Sequence, residues 1–176
     1  MSQPPDPDRL RPVWLRYIDS KRHFLSTAER CCIRGWPDRK AEIRNAFRLQ
    51  ELFCDQEIMR FEHLATIWRD PANTTCKSLT SLSAISKEIQ QAWTDPMEEA
   101  LQQSSPTYKK LVQEIEQYNA AMTPEALEGP FRDARRDPEY VSARDAAGEA
   151  IAACDKQLEQ RPHDRELNRD ADAPAD

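Results

Sequence analysis

Apolar residues recur at steps of three and four along most of this chain, and strict alternation of apolar and polar residues is scarce. Steps of three and four place side chains on one side of an α-helix, whereas alternation is typical of a strand. The clearest case is residues 38–69, where the apolar side chains fill an arc of roughly 160° at 100° per residue. The sequence therefore predicts an all-α protein.

A second helix-length segment precedes this one. Apolar residues fall broadly on one side of a helix over residues 12–34. Pro12 suits the first turn of that helix, and Gly35 suits the left-handed residue just past its end. With the helix over 38–69, the short Gly-Trp-Pro connection predicts a long antiparallel helical hairpin made by residues 12–69.

A repeated local signal marks where later helices begin. A short oxygen-bearing side chain stands directly before a proline, which suits an N-cap residue followed by a proline at the first helical position. In the first of these pairs Asp95 is the predicted cap. The pairs are Asp95-Pro96, Ser105-Pro106, Thr123-Pro124 and Asp137-Pro138.

The domain organisation follows from these segments. The chain has 176 residues, which is enough for one ordinary domain with its own core. We expect a single helical domain over residues 12–160, in which three or four shorter helices between residues 79 and 160 complete the hairpin into a bundle. Residues 1–11 and the acidic tail 161–176 have little to bury, so the sequence predicts that both are disordered.

Composition excludes several classes of function. Only three glycines occur, far apart, so a glycine-rich phosphate-binding loop is excluded. No run approaches the roughly 18 apolar residues that span a bilayer, and the N-terminus lacks an apolar signal core. We therefore expect no membrane partner and a cytoplasmic location. The five cysteines contain no CxxC pair, which indicates buried reduced thiols.

Histidine offers no metal or catalytic site. In the predicted hairpin His23 and His63 lie roughly 21 Å apart along the helix axis, too far to share a metal ion. His163 lies in the predicted tail. The sequence therefore predicts no catalytic residue, no metal site and no cofactor.

Charge divides the chain into two unequal parts. Residues 9–48 hold 11 basic and 4 acidic side chains, a net +7, while residues 49–176 hold 14 basic and 25 acidic side chains, a net −11. Many of the positive groups surround the predicted hairpin turn, where a tryptophan also lies. The candidate partner-binding residues are Arg34, Trp36, Arg39, Lys40, Arg44 and Arg48.

Three interpretations of this basic face are open. It can pack against the acidic helices of the same chain, it can bind an acidic protein surface through arginine and tryptophan anchors, or it can follow a phosphate backbone with Trp36 stacked on a base. We expect a non-enzymatic adaptor, inhibitor or accessory subunit with an acidic protein partner. A nucleic-acid-binding accessory protein and a small all-helical enzyme are the alternatives. A homodimer is also compatible, because a long apolar hairpin face can pair with its twin.

Overall fold

All regular secondary structure in the described part of the chain is helical, which confirms the predicted all-α class. The computed structural model describes residues 6–160. Short 3₁₀ turns occupy Pro37–Arg39 and Thr75–Ser78. The α-helices of this range are α1 (Pro7–Gly35), α2 (Lys40–Trp68), α3 (Leu82–Ala92), α4 (Asp95–Ser104), α5 (Pro106–Ala120), α6 (Pro124–Ala134) and α7 (Pro138–Glu159).

The first helix begins earlier than the sequence pattern predicts. Asp6 caps it by accepting a hydrogen bond from the backbone N–H of Asp8 at 2.8 Å, and Pro7 occupies the first helical position. Leu10 is buried. The prediction of disorder is therefore wrong for residues 7–11, because a cap, a proline and a core leucine start the helix there. Residues 1–5 and the predicted tail 161–176 lie outside the described residues.

The end of α1 also differs from the prediction. Gly35 is still helical and does not adopt a positive φ. The helix ends at Trp36, whose backbone N–H donates to the carbonyl of Cys32 at 3.0 Å. A left-handed glycine is not needed, because the 3₁₀ turn that follows redirects the chain.

Several ion pairs join α1 and α2 along their length. Arg69, the residue that follows α2, donates to Asp8 at the start of α1 at 2.8 Å. The Nε of Arg11 lies 2.6 Å from Glu62, and Arg22 pairs with Asp55 farther along. The residue numbers on α2 fall as those on α1 rise, which is the relation expected between antiparallel helices.

The remaining helices cover this pair on several sides. Helix α7 packs along α1, α5 packs along α2, and α6 contacts both near the 3₁₀ turn. Helix α4 packs on α5, and α3 contacts α7, where the Asp155 side chain accepts from the Leu82 backbone N–H at 2.7 Å. Within residues 6–160 five helices therefore complete the bundle instead of three or four, because α3 is followed by one separate helix at each of the four cap-proline pairs.

The core is divided into three clusters that share α2. The largest lies around Trp14, which stacks on Phe61 with ring centroids 6.0 Å apart, and it draws buried residues from α1, α2, α3 and α7. A second cluster lies near the turn, between α1, α2 and α6. The third surrounds Tyr108, between α2 and α5. Each helix that covers α1 or α2 thus contributes to one part of the core.

The surface has few large apolar side chains. Ile67 and Ile151 are the exposed ones in residues 6–160. The other helices cover the apolar sides of α1 and α2, so the exposed apolar face that suggested a homodimer is not present in this range. Within the same residues, no helix is long and apolar enough to cross a membrane.

The helix-start signals are confirmed at two positions and shifted at a third. Ser105 accepts from the backbone N–H of Tyr108 at 3.2 Å, and Asp137 accepts from that of Glu139 at 2.9 Å. Asp95 is not the cap of α4. Thr94 is the cap and accepts from the backbone N–H of Met97 at 3.4 Å, which places Asp95 inside the first turn. The physical reason is that the threonine hydroxyl one residue earlier already occupies the capping position.

This shift predicts different costs for two neighbouring substitutions. Thr94→Ala removes the capping oxygen and should lower the free energy of unfolding by about 1 kcal/mol. Asp95→Ala removes only a favourable charge near the helix N-terminus. It should lower the free energy of unfolding by about 0.3 kcal/mol, the small end of the effect of a carboxylate at that position. Urea unfolding of both variants checks the order, and an equal or larger loss for Asp95→Ala would contradict the cap assignment.

Candidate functional site

The predicted basic residues surround the connection between α1 and α2. Arg34 lies in the last turn of α1, Trp36 ends that helix, and Arg39 closes the 3₁₀ turn. Lys40 opens α2 and Arg44 follows one turn later. We call this region, with the parts of α6 and α7 that pack on it, the turn end of the molecule.

Arg34 is engaged within the chain. Its guanidinium donates to Asp137 at 2.5 Å and to Glu139 at 3.0 Å, and Arg30 also pairs with Glu139. The hydrogen bond from Arg34 holds the pKa of Asp137 below its usual value, and Arg30 and Arg34 do the same for the pKa of Glu139. This cluster fastens the start of α7 to the end of α1.

Three potential metal ligands meet at the same cluster. One ligand atom each from Cys31, Asp137 and Glu139 lies within 4.8 Å of the other two. The guanidinium of Arg34 contacts all three, including the Cys31 sulfur at 3.6 Å. A metal ion would have to displace this positive group, so the arrangement is that of an ion-paired joint between two helices.

Trp36 is also used within the chain. Its indole Nε1 donates to Asp133 of α6 at 2.9 Å. The ring lies against Gly129, where a Cβ atom would stand 2.7 Å from the ring edge. The tryptophan is half-buried by this contact. Its main structural effect is to attach α6 to the turn.

Arg48 has partners on its own helix and on α5. Its guanidinium lies 3.4 Å from Glu114 and 3.5 Å from Glu51. These are exposed pairs, and such pairs contribute little to stability, typically about 0–1 kcal/mol. They nevertheless neutralise the end of the predicted basic row.

The rest of the predicted basic face remains on the surface. Arg39 lies 3.8 Å from Glu42 on the following turn and is exposed. Lys40 and Arg44 are exposed, and neither makes an ion pair within 4.0 Å with another residue of the range 6–160. We call Arg39, Lys40 and Arg44 the turn-end basic surface.

A groove on α6 lies at the same end of the molecule and was not predicted. It has a volume of about 480 Å³, and its apolar walls come from Met122, Pro124, Leu127 and Phe131. Arg132, Arg135 and Glu128 supply its charged groups. The sequence signal for it is the mixture of apolar and charged residues in "LEGPFRDARR", which is short and ambiguous by itself.

A second unpredicted feature is a polar network around a buried tyrosine. The Tyr108 hydroxyl donates to Glu98 at 2.5 Å, and the Trp93 indole donates to the same carboxylate at 2.8 Å. Arg60 donates to the Tyr108 oxygen at 3.2 Å, and its guanidinium lies 5.1 Å from the Trp93 ring centroid. Four elements meet here, so the network holds α4 and α5 against α2. Glu98 also lines a groove of about 310 Å³ beside it.

Burial and hydrogen bonding have opposite effects on Glu98. Burial acts to raise the pKa of this carboxyl, but the bonds from Tyr108 and Trp93 and the charge of Arg60 outweigh it, so the pKa lies below its usual value. The carboxylate is therefore the form that the folded protein stabilises. Sequence reasoning missed this group, because the spacing from Arg60 to Tyr108 becomes a contact only through the packing of α2 on α5.

The cysteines of the described range are buried thiols, which agrees with the sequence prediction. Burial raises the pKa of Cys32 and of Cys76 to about 11 each. It also raises the pKa of Cys31. A thiolate is the reactive form, so these environments disfavour nucleophilic or redox chemistry at neutral pH.

Comparison of the chain with protein-family models, with curated proteins and with solved structures finds no match. The candidate site is therefore defined by its own geometry.

The contact between Trp36 and Gly129 predicts an unusual response to alanine. Gly148→Ala, in the open middle of α7, should raise the free energy of unfolding by about 0.5–1 kcal/mol, because alanine favours helix. Gly129→Ala should instead lower it by about 1 kcal/mol, because the added methyl group overpacks against the tryptophan ring. Thermal unfolding of both variants tests this. A gain at position 129 would mean that α6 does not rest on Trp36.

The Glu98 network predicts a pH-dependent stability difference. Because the folded pKa is lowered, the carboxylate stabilises the fold above its unfolded pKa, near 4.3, and the effect is lost as pH falls through the folded value. Glu98→Gln should therefore be less stable than the native chain at pH 7, and the difference should shrink below about pH 4. Urea unfolding between pH 3 and 7 measures it. Glu99→Gln, on the exposed side of α4, is the control and should show little difference at either pH.

Proposed function

We propose that this protein is a non-enzymatic interaction module, an adaptor, inhibitor or accessory subunit that binds an acidic protein surface through the turn-end basic surface. The supporting observation is the unequal use of the basic residues. Arg34 and Arg48 are neutralised within the chain, whereas Lys40 and Arg44 are exposed without an ion pair in the described range. These unpaired charges are available for contacts in trans.

The mechanism combines attraction at a distance with local docking. Adjacent positive charges raise the rate at which an acidic partner encounters the correct surface. Arg39 can exchange its long contact with Glu42 for a partner carboxylate at little cost, because exposed pairs of this kind are weak. In this mechanism Trp36 stabilises α6 through its contacts with Asp133 and Gly129.

Protein binding accounts for the surface better than nucleic-acid binding does. Stacking on a base requires a free aromatic face, but Trp36 lies against Gly129 and donates to Asp133. A backbone-following row would extend through Arg48, which pairs with Glu114. The net charge of −6 also differs from that of nucleic-acid-binding domains, which are usually basic overall.

Affinity purification from the native host tests the proposal. The bait with Lys40→Glu and Arg44→Glu should lose at least one protein that the native bait retains, because two attractive contacts become repulsive. The control bait carries Lys87→Glu and Lys110→Glu, which change the same charge at exposed positions of α3 and α5. That bait should keep the partner.

Three results would contradict the proposal. The native and reversed baits could retain the same proteins, the control bait could lose as much as the reversed one, or neither bait could retain any protein. Retention only of nuclease-sensitive material would favour the nucleic-acid alternative. Circular dichroism of each bait before purification ensures that a loss reflects charge and not unfolding.

A further inference from the structure

The groove on α6 has room for a short apolar segment. Its volume of about 480 Å³ falls within the range of about 300–1,000 Å³ that is usual for ligand-binding clefts. Leu127 forms part of the buried core, whereas Met122 and Phe131 are only half-buried at the groove wall. An apolar side chain placed here would extend the existing core cluster outward.

The base of the groove is packed against the rest of the bundle. Phe131 packs on Phe47 of α2 with ring centroids 5.5 Å apart. The opposite side of α6 is attached to the turn by Trp36 through Asp133. A preformed cleft avoids the cost of ordering its walls when a ligand binds.

The rim of the groove carries a positive balance. Arg132 and Arg135 line it, and Glu128 is its acidic residue. Arg132 lies 3.3 Å from Asp133, the adjacent residue in the chain, and its side chain is 60% exposed. Arg135 is exposed and makes no ion pair within 4.0 Å with any residue between 6 and 160. A ligand that offers carboxylates to both arginines would complement this rim.

The helix that carries the groove also contacts the turn that carries Arg39. Helix α6 contacts the 3₁₀ turn Pro37–Arg39, after which Lys40 begins α2. A partner steered by Arg39 and Lys40 therefore arrives at the end of the molecule where α6 lies. The apolar walls and the arginines of the groove favour one ligand class: apolar anchors to fill the cleft and carboxylates to meet the arginines.

We propose that the α6 groove binds a short acidic segment of a partner protein, with one or two large apolar side chains inserted between Met122 and Phe131 and flanking carboxylates on Arg132 and Arg135. This inference rests on the proposed function, since it names the kind of segment that the partner presents. The recognition mode is that of apolar anchors in a groove with charges at its edge.

Methionine methyl groups provide reporters for a direct test. Met122 lies in the groove, whereas Met59 packs in the cluster around Tyr108 and Met97 packs in the cluster around Trp14. In a protein labelled with ¹³C at the methionine methyl groups, an acidic peptide with leucine and phenylalanine anchors should shift the Met122 signal and leave those of Met59 and Met97 in place. Added salt should weaken the binding, because the charges are exposed.

Matched ligands separate the alternatives. One peptide keeps the acidic residues but has serine in place of the anchors, and another keeps the anchors but has lysine in place of the acids. Both should bind at least about tenfold more weakly than the first peptide, a difference of one decade in Kd. A single-stranded oligonucleotide is the third comparison and should not shift Met122.

Substitutions at the rim test the charge assignment. Arg132→Glu with Arg135→Glu should weaken the acidic peptide by about tenfold or more. Glu128→Gln should strengthen it, because the acidic residue of the rim is removed. Lys87→Glu with Lys110→Glu is the control and should leave Kd unchanged. Unshifted Met59 and Met97 signals in each variant establish that the fold is intact.

Several outcomes would overturn the inference. The first is the absence of a Met122 shift at millimolar peptide, and the second is equal or tighter binding of the lysine peptide or the oligonucleotide. The third is a Met122 shift that follows protein concentration without any ligand, which would identify a second copy of the chain as the occupant. The two proposals fail separately. If charge reversal at Lys40 and Arg44 loses a partner but the peptide does not shift Met122, only the inference about the groove is refuted. If the peptide shifts Met122 but no such partner is found, only the proposed function is refuted.

Discussion

The architecture depends on the burial of α1 on several sides at once. Trp14, Val13 and Ile18 face a cluster shared with α2, α3 and α7, while the C-terminal half of the helix contributes to the cluster shared with α2 and α6. Apolar burial on this scale is the main favourable contribution to folding. The ion pairs between α1 and its neighbours lie at the edges of these contacts, where they favour one register and add little stability.

The same packing determines which charges are left for a partner. The basic N-terminal part and the acidic remainder of the chain neutralise one another where helices touch: Arg34 meets the start of α7, and Arg48 meets α5. Lys40 and Arg44 make no ion pair within 4.0 Å with residues 6–160. The positions of the covering helices therefore decide which basic residues are used within the chain. The remaining basic residues of the same segment can bind a partner.

Local signals in the sequence predicted most of the helices. The contacts between residues distant in the chain could not be predicted from these signals. The helical period and the cap-proline pairs located α2 and the starts of α5 and α7, because both signals depend on residues within a turn or two. The start of α1 was missed, since a polar, proline-rich segment becomes helical there when Leu10 reaches the core. The use of Trp36 by α6 could not be predicted, because Gly129 and Asp133 lie about a hundred residues away in the chain.

Helix α6 contains two adjacent residues that disfavour an isolated helix. Pro130 inside it removes a backbone donor, Gly129 gives up side-chain contacts, and the cap residue Thr123 makes no side-chain hydrogen bond. Its helical form therefore depends on tertiary contacts with Trp36 and Phe47. Local opening of α6 and occupancy of its groove are then thermodynamically linked: a ligand would slow amide exchange in this helix, and loosening the tryptophan contact would lower affinity by the factor by which it depopulates the formed helix.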